Sequence, residues 1–177
     1  MGFIPELNKA VILVPKTGTK TIQHVAGGYN FEWGDDHRPY TELRKRIEDK
    51  YPDLAPTTEY AVNIRHPVER FLSGVFFCYK NPDPRFSVDF IYNQQVKEKT
   101  YDFIFRPQHK WLEGCDNIKL FKFDTMDICR WLGWTDDIPK LNSKERRFTR
   151  EEMQAHPLYP VLMSRYDDDW KLWNCVL

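Results

Sequence analysis

No two cysteines of this sequence stand close together. Its four, Cys78, Cys115, Cys129 and Cys175, are scattered singly, which removes the short paired spacing that a structural zinc site needs. Cys78 lies in the apolar run Val75-Phe76-Phe77 and Cys129 beside Ile128 and Trp131, so both read as buried free thiols. A Cys115–Cys175 disulfide is the minor alternative in a reducing compartment. Charge of one sign is missing too: 26 basic residues equal 26 acidic ones, leaving no bulk field of the kind that draws a protein onto nucleic acid. There is no stretch near the roughly 20 apolar residues of a membrane span, no signal-peptide layout at the N-terminus, and no internal repeat, low-complexity tract or linker. What remains is the expectation of a soluble, cytoplasmic chain folding as a single domain over residues 1–177. Its 41% hydrophobic and 15% aromatic content suffices for one sizeable core.

Apolar runs at 11–14, 61–64 and 118–123 predict strands, and helical patterns at 19–26, 41–50, 69–79, 87–94 and 150–173, the last broken, alternate with them. Gly27-Gly28 closes the first helix as a C-terminal cap would. The proline-rich stretch 81–84 and the segment 136–139, which ends in Pro139, mark loops. The alternation predicts an α/β, P-loop-like three-layer fold with a central parallel sheet flanked by helices.

The stretch richest in functional signal runs from Lys9 to Ile22. Val11-Ile12-Leu13-Val14 leads into Pro15-Lys16-Thr17-Gly18-Thr19-Lys20-Thr21, which reads as strand, anion-gripping loop and helix. Pro15 stops the strand, Gly18 lets backbone amides approach an anion closely, and the hydroxyls of Thr17, Thr19 and Thr21 add donors at a helix N-terminus. Lys16 adds a full positive charge. Taken alone, the loop reads more plainly as an ordinary strand-to-helix turn, but a second segment outweighs that reading. Tyr60-Ala61-Val62-Asn63-Ile64-Arg65 is another apolar strand whose end delivers Arg65. Pro67 then opens a helix, and Ser73 falls about two turns along it, its hydroxyl directed towards the same anion. Two grips on neighbouring strands suit a ligand with two separated phosphates.

These residues resemble the sulfotransferases that use 3′-phosphoadenosine-5′-phosphosulfate (PAPS), especially the heparan- and chondroitin-type carbohydrate branch. Pro15-Lys16-Thr17-Gly18-Thr19 is similar to the family's first motif, and Arg65-x-Pro67-x-x-Arg70-Phe71-x-Ser73 to its second. Arg106-Pro107-Gln108-His109-Lys110-Trp111-Leu112 resembles its Pro-Gln segment, and Ile118-Lys119-Leu120-Phe121-Lys122-Phe123-Asp124 the strand after it. Leu141-Asn142-Ser143 and Arg165-Tyr166-x-x-Asp169-Trp170-x-Leu172-Trp173 look like its closing elements, so the resemblance spans nearly the whole chain.

The resemblance implies in-line transfer of a sulfuryl group from PAPS to an acceptor hydroxyl, with a sugar or oligosaccharide as the partner and no metal. Sulfuryl transfer spreads charge over equatorial and leaving oxygens, so positioned cations and amides carry most of the rate. Lys16 is the expected cation. His37 is the expected base, because a histidine ahead of such a helix resembles the family's Gly-His element, and an imidazole suits proton abstraction near neutrality. Here Asp36 stands where the glycine is usual, and Asp35 and Asp36 are expected to raise the His37 pKa. His109 is the second candidate base, and Gln108 is a candidate to position substrate or sulfuryl oxygens. Lys16, Thr17, Gly18, Thr19, Lys20 and Thr21 are expected to hold the cofactor, with Arg65 and Ser73 on its 3′-phosphate. Arg70 either reaches that phosphate or pairs with a carboxylate. Ser143, with Lys144, Arg146 and Arg147, either covers the nucleotide or forms a solvated face. His24 reads as packing or surface. Lys20 stands where the family commonly has a hydroxyl, and His66 where it has an acidic or amide residue, placed at the strand edge.

A P-loop-like nucleotide kinase is the rival enzyme, since Gly18-Thr19-Lys20-Thr21 superficially resembles a Walker loop. The spacing opposes it: Thr19 separates Gly18 from Lys20, and the earlier glycine is missing. A non-catalytic module that binds nucleotide or glycan is the other alternative, distinguished by binding without turnover.

Overall fold

The computed structural model describes residues 1–78, 92–93, 102–139 and 150–176. Four strands, β1 (Gly2–Ile4), β2 (Lys9–Ile12), β3 (Glu59–Ile64) and β4 (Ile118–Lys122), form one sheet in the order β1-β2-β3-β4. β2, β3 and β4 run parallel, with Ala10 opposite Tyr60 and Val62 opposite Leu120. β1 is antiparallel to β2, with Phe3 opposite Ala10. The sheet is therefore mixed at one edge, and that short edge strand was not anticipated.

Helices cover both faces because the central strands are apolar on both, the usual consequence of parallel pairing. Ala10, Ile12, Val14, Tyr60, Val62 and Ile64 point into one core, shared with Leu43 and Ile47 of α2 (Tyr40–Lys50) and with Trp111 of the 3-10 turn Gln108–Trp111. Val11, Leu13 and Ala61 point into the other, closed by Ile22, Val25 and Ala26 of α1 (Thr19–Ala26) and by Ile128 and Cys129 of the next helix in the sequence after β4, Asp127–Trp131. A third, purely helical core gathers Phe71 and Val75 of α3 (Pro67–Cys78), Ile104 and Phe105 of α4 (Asp102–Phe105) and residues of the C-terminal segment. Numbering Asp127–Trp131 as α5, that segment comprises α6 (Arg150–Gln154), α7 (Tyr159–Arg165) and α8 (Asp167–Cys175), the broken helix expected over 150–173. No helix among the described residues is long and apolar enough to cross a membrane.

The predicted α1 agrees with the structure at both ends, and α3 starts two residues earlier than predicted, with Pro67 at its first position. Gly27 does not cap in the left-handed region. Its φ of −65° is right-handed, and its N–H simply bonds back to His24 O. The ladder of β2 covers Lys9–Ile12, while Leu13 and Val14 continue beyond it, fully buried. All four cysteines are free thiols: Cys129 is buried, Cys78 half-buried and Cys175 exposed, so Cys115 and Cys175 are not paired. The helix expected over 87–94 falls almost wholly outside the described residues.

Candidate active site

Between β2 and α1 the chain turns through residues 13–18. Lys16 (φ 69°) and Gly18 (φ 88°) both take left-handed backbone. At Gly18 this demands glycine twice over, because a Cβ there is strained and would sit 3.1 Å from Met126 Cε and Phe123 Cε2. Gly18 is the N-cap of α1, so the leading N–H groups of that helix, which have no intrahelical acceptors, open next to the loop.

The loop is held by its carbonyl groups. His37 Nδ1 donates to Leu13 O (2.6 Å), Thr17 Oγ1 to Val14 O (2.8 Å) and Arg70 Nε to Pro15 O (3.0 Å). Arg65 Nη1 donates to Lys16 O (3.0 Å) and Asn63 Nδ2 to Thr17 O (3.2 Å). Gly18 O accepts the N–H groups of Thr21 and Ile22. Six consecutive carbonyls thus have partners, four of them long side chains from other elements. A peptide whose C=O is fixed has its N–H fixed as well, so the amide side of the loop is set without any ligand. The hydroxyls expected to donate to an anion are engaged here with backbone: Thr17 and Thr19 with Val14 O, Thr21 with Pro139 O (3.4 Å).

Arg65 leaves β3 as predicted and is almost wholly buried. Its guanidinium carbon lies 4.3 Å from the Phe123 ring centroid, and Glu69 Oε2 is 3.8 Å from its Nε. Its peptide is clasped by Gln108: Arg65 N donates to Gln108 Oε1 and Gln108 Nε2 donates to Arg65 O, both at 2.9 Å. Gln108 therefore faces the strand end rather than solvent. Arg70 is fully buried, its Nε donating to Pro15 O and its Nη2 to Ile104 O (2.7 Å). Among the described residues no carboxylate forms an ion pair with it, and burial pushes its pKa below the ordinary guanidinium value. Ser73 stands three residues after Arg70 and four before Phe77 on α3, so all three share a stripe. Arg70 meets Pro15 O and Phe77 meets Lys16, whose Nζ lies 4.2 Å from the ring centroid; half-buried Ser73 is thereby on the side of α3 that faces the loop.

The two candidate bases differ. A carbonyl only accepts, so His37 carries its proton on Nδ1, and the neutral ring leaves the Nε2 lone pair open. Burial pushes the His37 pKa below the ordinary 6.5, reinforced by nearby cations including Lys20. This reverses the expectation of a rise: the Asp36 carboxylate pairs with Arg38 (3.1 Å) and Arg46 (3.3 Å), and its pull on the imidazole is outweighed. His109 instead faces carboxylates at both ring nitrogens, Asp169 Oδ1 3.0 Å from Nδ1 and Asp168 Oδ2 3.7 Å from Nε2. Lys20 is exposed on α1, and His24 is exposed against Trp134. His66 is buried rather than at an edge, edge-on to Trp170 and Trp173 at 4.6 and 5.7 Å. Ser143 lies outside the described residues. Asn63 and Asp169 were missed as part of the site, although a fully polar residue inside the apolar run 60–64 was a visible signal at Asn63.

No family model matches the chain, and no curated protein is similar to it. Among solved structures it is similar to a sulfotransferase from Alicyclobacillus acidocaldarius, at 19% identity and a TM-score of 0.38. The alignment covers 73% of this chain and 59% of that protein, so the chain spans less than two thirds of its length.

Proposed function

We propose that the chain is a sulfotransferase that moves a sulfuryl group from PAPS to an acceptor hydroxyl of a carbohydrate. The observation that carries this reading is the 3.0 Å bond from Arg65 Nη1 to Lys16 O. It joins two grips that lie 49 residues apart in sequence, and a donor with phosphate groups at both its 5′ and 3′ positions needs both at once. The residues fit such a donor. Gly18 supplies the left-handed turn that leads into α1, and the carbonyl partners hold the loop's amides ready. Lys16, Thr17, Gly18, Thr19, Lys20 and Thr21 surround the 5′ end in this reading, while Arg65 and Ser73 take the 3′-phosphate; Arg65 brings a fork of donors suited to phosphate.

When bound, PAPS supplies the electrophilic sulfur and the oxygen that departs with the nucleotide. Lys16 supplies positive charge beside that oxygen as negative charge builds on it, an interaction worth most in the transition state. His37 accepts the acceptor's proton on Nε2, held in the required tautomer by Leu13 O, and its lowered pKa keeps it neutral at pH 7.

Calorimetry tests the reading. 3′-Phosphoadenosine-5′-phosphate (PAP) should bind tightly without magnesium, and adenosine 5′-phosphosulfate should bind on the order of a hundredfold more weakly, as should PAP to Arg65→Ala. Equal affinity with and without the 3′-phosphate excludes the reading, and magnesium-dependent ATP binding replaces it with a kinase. With an acceptor found, His37→Ala should lose turnover while keeping PAP affinity, and the acid limb of the wild-type rate should fall below pH 6.5.

A further inference from the structure

Asp169 is fully buried on α8, yet its carboxylate reaches no part of the loop. Both of its oxygens are used at the start of the 3-10 turn Gln108–Trp111. Oδ2 accepts Gln108 N at 2.7 Å, and Oδ1 accepts His109 N at 2.9 Å and His109 Nδ1 at 3.0 Å. This is a cap supplied by side chain from 60 residues away, and it fixes the backbone from which the Gln108 side chain springs. Gln108 is buried completely, and its amide matches the Arg65 peptide donor for acceptor, as a neighbouring strand would. Arg65 in turn donates to Lys16 O. The links run in one direction, from α8 to the turn, to the end of β3, to the loop.

We infer that Gln108, oriented by Asp169, is a positioning residue that sets the Arg65 peptide and through it the alignment of the guanidinium with the loop. The inference rests on the proposed two-phosphate site for its functional consequence, while the mechanical link stands on the hydrogen bonds alone. Neither Gln108 nor Asp169 touches the ligand in this account. An apolar side chain at 108 takes these two hydrogen bonds away from Arg65 N and Arg65 O in a buried place, and the strand end must move to recover them. A shift of that kind harms recognition of the 3′-phosphate more than general anion binding by the loop.

The experiment compares wild type, Gln108→Leu and Gln108→Glu, which keeps the acceptor for Arg65 N but loses the donor to Arg65 O. Affinities for PAP and for adenosine 5′-phosphate are measured by calorimetry, together with hydrogen exchange of the amides of Arg65 and residues 16–20. Gln108→Leu should lose about tenfold or more on PAP and less than about twofold on adenosine 5′-phosphate, with Gln108→Glu between. The Arg65 amide should exchange at least about tenfold faster while β1 and α2 amides do not change. Equal losses on both nucleotides, or unaltered exchange at Arg65, overturn the inference. If Gln108→Leu does not fold, Gln108→Glu alone decides by the same ratio and the same amide. A wild type indifferent to the 3′-phosphate overturns the cofactor reading instead, and the exchange result then decides the link by itself.

Discussion

Two strand-to-helix junctions lie side by side at one end of the sheet, and they are built in opposite ways. From β2 to α1 the chain takes the six residues 13–18, two of them left-handed, and offers main chain: amides held by fixed carbonyls. From β3 to α3 it takes only Arg65 and His66, and offers side chains. The second junction also restrains the first, since Asn63, Arg65 and Arg70 all donate to the loop. A backbone surface is a weak discriminator between anions, and a guanidinium placed beside it adds the selectivity. The comparison teaches that the loop motif is one half of a device whose other half is three polar side chains on the neighbouring unit.

Cutting the restraint between the junctions should have the largest effect. Arg70→Met leaves Pro15 O and Ile104 O buried without partners, and should cost roughly 4 kcal/mol in denaturant unfolding, weakening PAP binding at the same time. A stability loss without a binding loss would separate the junctions. Next comes the second junction alone. Burial holds the His66 imidazole down to about 4, helped by Arg150 and Arg65 and opposed by Glu69, whereas in the unfolded chain it titrates near 6.5. Between those values the unfolded chain binds a proton that the folded chain does not, so stability falls as pH falls through this window. The full loss is roughly 3 kcal/mol, complete below pH 4. Unfolding curves at pH 7 and pH 4.5 should diverge less in His66→Phe than in wild type. In the first junction alone, Gly18→Ala should cost about 1–2 kcal/mol from left-handed strain, read as a lower Tm, with a weaker grip on PAP and adenosine 5′-phosphate alike. The smallest effect belongs to Lys20→Thr. It should leave PAP affinity within about threefold and move the acid limb of the rate upward, because Lys20 helps hold the His37 pKa down.

The asymmetry between the junctions also explains what could be read in advance. Residues with a specialised backbone role or a place at a strand end announce themselves, so Gly18, the exit of Arg65 from β3 and the limits of α1 were legible. β1 was not, because three residues carry no periodicity and their place depends on pairing with β2. The partners of Asn63, Arg70, Gln108 and Asp169 were hidden for a different reason. Each of these side chains binds main-chain groups, and any residue supplies those, so no pattern in the sequence marks the partner. The His37 pKa was misjudged for a related cause. Sequence neighbours Asp35 and Asp36 suggested a rise, but folding gives the Asp36 carboxylate to Arg38 and Arg46 and buries the ring.

The donors that hold the loop come from 24, 46, 49 and 55 residues away, at His37, Asn63, Arg65 and Arg70. Local sequence therefore cannot give the loop its shape, which depends on the pairing of β3 with β2 and the docking of α3. An anion that needs this loop binds only the completed fold, so its stabilising effect, which grows with the logarithm of its concentration over Kd, opposes global unfolding instead of local fraying. Occupancy of the loop would then serve as a count of correctly finished molecules.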